Sequence, residues 1–597
     1  MLKNNSFILK VLLVVIIVIA AGLRFYGINW DDNQYLHPDE RFISLTAVTI
    51  QWPDSFSQYL DPETSPLAPV NHEGYGSYIY GTLPLFTVKA LADYNETGIY
   101  GQIHIAGRTM SAVMDIGSLV LVFFICKKFL SKRAALAAAA LYAVSVISIQ
   151  HSHFFTSENY VVFFTLLSFK LLIDFMEKKA DLAVFWSFFL GISFGLMLSS
   201  KLSGGLFAII VFYGFFVKMM KLFKKEGIKK TILHMSEYSF VFLLTTYIVF
   251  RLTQPYFFET ASWLDFTPEP TFWLFLSKQR EAIAGEFIFP PQYQWINTTP
   301  YWYPFKNLML WGLGLPLGIA SLLGMFMWVI ALSKRVVNKN LKAVVAITSS
   351  PAALMFVWVV GSFIYGGGNY VKSMRYFMAI IPFLIMFAAY AVDRLLKVKR
   401  EVGLTFLAIT LSLTSFWAFA YVNIYSQDTT RVAATKWLYA NAPNGSKLAN
   451  EHWDDPLPLR IPQEELTPEG LSIRTYQGIE TQVYNPDDNA KIDHLYSVIE
   501  EADYILLTSA RASGGIGQLP DQFPIMHEYY QALDNGSLGF ELETEITSYP
   551  NLFGIEIDDS SAEEIFWVYD HPTVKIYKKT SDITKEEFID AVKYNYE

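Results

Sequence analysis

Between Trp30 and Arg41 the chain reads Trp-Asp-Asp-Asn-Gln-Tyr-Leu-His-Pro-Asp-Glu-Arg, directly after a long apolar run. The adjacent carboxylates Asp39 and Glu40, with His37 close by, can take a proton, orient a polar substrate or help hold a divalent cation. The same letters also suit a solvated acidic loop with Asp39 and Glu40 as helix-start residues and Pro38 just before them. A second polar cluster, Gln150–Asn159, places His151, His153 and Glu158 between two apolar runs. Ionisable groups at that depth are costly and usually functional. Metal binding, phosphate binding and a satisfied interfacial loop all stay open there. Lys201 stands among Ser199, Ser200, Ser203, Gly204 and Gly205. A compact point charge beside small residues suits a phosphate, or it snorkels from a helix end. The stretch Gly366–Tyr376 adds Lys372 and Arg375, and Arg108 stands at the start of another apolar run. Either guanidinium can grip a phosphate or pair with a carboxylate.

These groups need a membrane to position them. Hydrophobic residues make up 52% of the chain and charged residues only 17%, too apolar for an ordinary soluble enzyme. The first run, Phe7 to Tyr26, is about the 20 residues a bilayer crossing needs, and it lacks a small-x-small cleavage pattern. Ten more candidate spans lie near residues 105–126, 134–150, 157–173, 183–199, 203–220, 236–253, 308–332, 344–366, 375–392 and 403–424. Alternate loops are rich in Lys and Arg, from Lys127-Lys128 through Lys224-Lys225 to Lys399-Arg400. By the positive-inside rule the N-terminus is cytoplasmic. The loop after the first span, the 254–305 loop and the C-terminal part then lie outside, with all four polar clusters on that face. In the first outer loop, Gly76–Tyr94 and Asp39–Ile50 read as short interfacial helices.

Near residue 425 the composition changes. From Ser426 onward there are 12 Lys and Arg against 31 Asp and Glu, whereas the preceding residues hold 34 against 24. A basic membrane domain, residues 1–425, thus precedes an acidic extracytoplasmic α/β domain, residues 426–597. Helices at Thr430–Ala440 and Asp521–Asn535 and strands at Lys447–Asn450, Tyr504–Thr508 and Val574–Tyr577 are expected there. The acidity excludes nucleic-acid binding. The single cysteine, Cys126, excludes an intramolecular disulfide.

The Pro38-Asp39-Glu40-Arg41-Phe42 stretch, following Leu23-Arg24-Phe25-Tyr26-Gly27, resembles the type C glycosyltransferases of the protein O-mannosyltransferase and aminoarabinose transferase superfamily. Arg108, Gln150–Asn159, Lys201 and Met374-Arg375-Tyr376 with Pro382 add to the resemblance. In the C-terminal part, Glu451–Pro458, Leu538-Gly539-Phe540 and Tyr569–Pro572 resemble a prokaryotic subgroup of phospholipid-carrier-dependent glycosyltransferases. The resemblance implies a polytopic helical enzyme at the cell membrane. It would move a sugar from a polyprenyl-phosphate carrier to a hydroxyl acceptor, with inversion. It makes Asp39 the base, Glu40 its neighbour, and Lys201, Arg375 and Arg108 the cations for the lipid phosphate. His37, His151, His153 and Glu158 are then the groups for acceptor or sugar. Relatives differ in metal use, and His151, His153, Asp39, Glu40 and Glu158 are ligand types for a divalent ion. The competing reading is a transporter or flippase for lipid-linked sugars, which predicts facing charges midway through several spans and broken helices in matching halves. A third is a surface-assembly protein whose working part is the acidic domain.

Overall fold

The computed structural model describes residues 2–75, 78–339 and 341–596. Contacts divide the chain into two units. The membrane unit comprises Met1–Ile28, Pro38–Ile283 and Thr299–Phe419; the second comprises Asn29–His37, Ala284–Thr298 and Ala420–Glu597. The division therefore differs from a single cut near residue 425. Two segments between the helices, one carrying His37, group with the C-terminal unit.

The membrane unit is helical. Its elements include α1 (Leu2–Phe25), α2 (Pro38–Thr49), α3 (Thr82–Tyr94), α4 (Ile103–Phe129), α5 (Lys132–Ala143), α6 (Val146–Ser152), α7 (Glu158–Glu177) and α8 (Ala180–Ser200). Then come α9 (Ala208–Glu226), α10 (Ile228–Thr253), α11 (Pro270–Ala284), α12 (Leu315–Val337), α13 (Pro351–Gly367), α14 (Ile381–Val398) and α15 (Arg400–Val422). Among the described residues, nine helices are long and apolar enough to cross a membrane, and a tenth crossing follows if α5 and α6, bent by 55°, form one span. Each of the eleven expected segments is mainly helical, but the third is broken, and 344–366 is divided between Leu341–Thr348 and α13, which at 17 residues is short. The span through α14 has 89% of its apolar window buried, against 17% for α1, so α14 is central and α1 peripheral.

The α5–α6 break has a physical support. A broken helix in a bilayer must satisfy the carbonyls it frees. Arg24 donates to Ala143 O at 2.8 Å and to Tyr142 O at 3.3 Å. Its Nε donates to Asp115 Oδ2 at 2.5 Å, and Tyr142 Oη donates to Asp115 Oδ1 at 2.6 Å. Asp115 went unremarked in the sequence because one acid inside an apolar run carries no spacing signal.

In the loop after the first span, α2 and α3 stand where short helices are expected. The expected start at Gly76 lies outside the described residues, and α3 begins at Thr82.

The C-terminal unit is α/β, with α16 (Thr430–Asn441), β1 (Lys447–Glu451), β2 (Gln477–Thr481), α17 (Asn489–Glu501), β3 (Tyr504–Leu507), α18 (Pro524–Asp534), β4 (Phe540–Ile546) and β5 (Val574–Lys579). The sheet order is β2-β1-β3-β5-β4, with β1 parallel to both its neighbours and β5 antiparallel to β3 and β4. Helices α17 and α18 bury Ile492, Leu495, Val498, Met526 and Tyr529 in one core with Ile505, Phe540 and Tyr577. The strands β2 and β4 and the helix α17 were not anticipated. Their mixed, part-exposed faces lack the apolar run that marks β3.

Candidate active site

Helix α2 begins at Pro38, so Asp39 and Glu40 are its second and third residues. Successive helical residues point about 100° apart, and the two carboxylates part company. Glu40 turns inward and is fully buried. Arg108 Nε donates to its Oε2 at 3.0 Å, Arg108 Nη2 to its Oε1 at 2.5 Å, and the Phe155 N–H to Oε2 at 2.6 Å. Arg108, likewise fully buried, also donates to Ile28 O at 2.9 Å. This two-point pair ties α2 to α4 and to the segment after α6.

Asp39 turns the other way. Tyr80 Oη donates to its Oδ1 at 2.9 Å and Arg375 Nη1 to its Oδ2 at 2.7 Å. The Asp39 and Arg375 side chains are 25% and 21% exposed, where the Glu40–Arg108 pair has no exposed surface. Burial first, and then the Asp39 carboxylate, push the Tyr80 phenol well above its ordinary value, so it remains a proton-bearing donor. Tyr80 packs against Phe42 and Tyr78. The next residue, Gly81, lies so close to the end of α8 that an added Cβ would stand 2.1 Å from Ser200 O. Tyr80 is thereby held beside Asp39 by a backbone approach only glycine allows. The loop's composition gave no sign of this role.

Lys201 caps the C-terminus of α8 in an extended conformation, before the 3-10 turn Leu202–Phe207. Its Nζ donates to Glu158 Oε1, at the start of α7, at 2.7 Å. Arg375 lies in the 3-10 turn Met374–Ile380, whose cap Ser373 accepts from the Arg375 N–H at 3.4 Å. Both cations rest on one ring, Tyr376, with Lys201 Nζ 5.7 Å and Arg375 Cζ 5.5 Å from its centroid. Glu158, Lys201, Arg375 and Tyr376 line one end of a 210 Å³ cavity, and Val161, Leu206, Trp358 and Ile380 supply apolar walls. That volume is below the roughly 300 Å³ where small-molecule pockets begin, and it suits a headgroup more than a whole carrier lipid.

The remaining expected residues do not gather there. His153 is fully buried, with Nδ1 2.9 Å from Ile149 O and Nε2 2.9 Å from Tyr26 O. His151 is buried edge-on to Phe154 and near enough to Glu158 to act on its charge. His37, in the other unit, packs against Tyr569 with ring centroids 4.4 Å apart and the rings tilted by 50°. Lys372 is buried and donates to Tyr370 O at 2.8 Å, and burial lowers its pKa. Among the described residues no three His, Cys, Asp or Glu side chains form a metal-binding group. Glu40 is taken by Arg108 and Glu158 by Lys201, so the five expected donors do not converge on an ion.

Residues 71–263 match the family model for dolichyl-phosphate-mannose-protein mannosyltransferase. The structure matches that of the Archaeoglobus fulgidus oligosaccharyltransferase in the apo form, with TM-score 0.51 and 12% identity over 87% of this chain and 72% of that one. It also matches the archaeal oligosaccharyltransferase AglB from Archaeoglobus fulgidus in complex with an inhibitory peptide and a dolichol-phosphate. That match has TM-score 0.52 and 12% identity over 88% of this chain and 72% of that one. The protein has the fold of a type C glycosyltransferase. ArnT from Cupriavidus metallidurans bound to undecaprenyl phosphate aligns at TM-score 0.44 and 12% identity, over 83% of this chain and 92% of that one. No curated protein sequence matches the chain.

Proposed function

We propose that this protein is a glycosyltransferase of the membrane's outer face, of hexosyl- or mannosyltransferase type. It moves a sugar from a polyprenyl-phosphate carrier to a hydroxyl acceptor, with inversion at the anomeric carbon. One observation carries the reading. A part-exposed carboxylate, Asp39, adjoins a cation that also lines a small cavity with polar and apolar walls. The acceptor hydroxyl gives its proton to Asp39 as its oxygen bonds to the anomeric carbon. The bond from that carbon to the phosphate oxygen breaks, and its electron pair leaves with the carrier phosphate. Lys201 and Arg375 face the charge that develops there. Arg108 is withdrawn from this role by its closed pairing with Glu40, and both act by holding α2 in place. The family match and the alternation of basic loops support the donor class and the outward orientation.

Lipid extracted from the purified protein, identified by mass spectrometry, tests the donor. A polyprenyl phosphate or its sugar adduct is the expected finding. Transfer of radiolabelled sugar from a synthetic polyprenyl-phosphate donor in detergent then separates enzyme from flippase, since a flippase forms no product there. Absence of both carrier and transfer would sink the proposal.

A further inference from the structure

We propose that the carrier phosphate arms Asp39 by drawing Arg375 away from it, so that donor binding precedes and permits activation of the acceptor. This rests on the reading above and adds an order of events to it. In the structure both Asp39 oxygens are engaged, Oδ1 by Tyr80 and Oδ2 by Arg375. A general base must present an oxygen within about 2.6–3.2 Å of the hydroxyl it deprotonates. Each oxygen can accept a further donor, but a guanidinium held against a carboxylate weakens it as a base, so the base is armed when one of the two donors gives way.

The surroundings decide which. Tyr80 is fixed by its aromatic neighbours and by the backbone approach at Gly81. Arg375 is placed to move. Its side chain lines the cavity, part-exposed, and rests on the Tyr376 ring, as Lys201 does. It donates to Asp39 Oδ2 through Nη1, and a phosphate can engage two nitrogens of the guanidinium fork with a full charge-assisted pair. Moving to the phosphate, Arg375 frees Asp39 Oδ2 at the moment an electrophilic carbon arrives. The acceptor proton then passes to Oδ2, the acceptor oxygen bonds to the anomeric carbon, and the phosphate leaves carrying the electron pair. When the carrier departs, Arg375 returns and Asp39 releases its proton to water. Glu158 gives Lys201 the same kind of internal counter-charge at the cavity's other cation. Neither cation is left uncompensated before the phosphate arrives, which spares the cost of a lone charge in a low-dielectric site.

Carbodiimide labelling of the intact protein in detergent, with peptide mass spectrometry, reads Asp39 directly. Undecaprenyl phosphate is the probe and a neutral polyprenol of equal length the control, with bound lipid measured in parallel. Asp39 labelling should rise several-fold with undecaprenyl phosphate and stay flat with the polyprenol, while buried Glu40 stays unlabelled in both. In Arg375→Ala, Asp39 should label readily whether or not lipid is present. Bound undecaprenyl phosphate with unchanged or reduced Asp39 labelling overturns the arming step and leaves the proposed function standing. Failure of undecaprenyl phosphate to bind at all overturns both.

Discussion

In the membrane unit, two ion pairs are buried outright, and two others are part-exposed around one small cavity. Arg24 meets Asp115 and Arg108 meets Glu40 with no exposed side-chain surface. Asp39–Arg375 and Glu158–Lys201 use the same chemistry with part of each pair accessible. The C-terminal unit also buries charge, but as shared networks. Arg431 donates to Asp454, which also takes the Ser509 hydroxyl, while Arg511 bonds Glu564. His571 is held between Asp559 at 2.9 Å and Asp570 at 2.6 Å. Burial opposes its charge, yet the two carboxylates win and lift it to about 10. Glu451 accepts from Tyr530, and burial raises it to about 8. The lesson is that a buried ion pair by itself marks no site. In the proposed reading the working pairs are Asp39–Arg375 and Glu158–Lys201, and part exposure beside a cavity is not enough alone, since Asp393–Lys397 has it too.

The sharpest test of that separation is to exchange the two neighbours. Asp39→Asn should lower transfer by about 10²–10⁴-fold, the range for loss of a general base, with an unaltered melting profile. Near wild-type turnover in this variant would show that exposure beside the cavity is a poor guide. Glu40→Ala should do the reverse. It strands the Arg108 guanidinium without its carboxylate, at a cost of about 3–5 kcal/mol. Thermal melting in detergent would register this as a marked drop, and an unchanged melt would erase the distinction between anchor and site.

A smaller effect separates the units. Folded Glu451 keeps its proton from its ordinary 4.5 up to about 8, and folded His571 from 6.5 up to about 10. Across those windows the folded unit binds more protons than the unfolded chain, so its stability falls as pH rises. From about pH 6 to 8.5 the loss should reach up to about 5 kcal/mol, read as a falling melting temperature of the intact protein, and Glu451→Gln should flatten the slope. A melting temperature that rises over that range would contradict the network. Smallest is Lys201→Gln, which should weaken undecaprenyl phosphate binding about tenfold, the worth of one charge-assisted hydrogen bond. Equal binding by this variant would assign the phosphate to Arg375 alone.

Much of this was legible in the residues. Apolar runs long enough to span a bilayer, the alternation of basic loops and the acid shift near residue 425 are one-dimensional signals, and the helices fall where those signals lie. The pairings were not legible. Glu40 and Arg108 are 68 residues apart, and Asp39 and Arg375 are 336 apart. Nothing local distinguishes a cation that clamps a helix from one that lines a cavity. Tyr80 sits in an aromatic-rich loop like many others until Gly81 fixes its position.

By itself the sequence determined that this chain is polytopic, that its polar clusters lie at helix ends, and that Asp39 and Glu40 start a helix. Hydropathy and first-turn charge depend on residues close together in the chain, so they can be read from it. Only the tertiary structure decided that adjacent carboxylates have opposite fates. A helix turns each residue about 100° from the last, and what waits in each direction — buried Arg108 for one, part-exposed Arg375 for the other — is set by how distant helices pack.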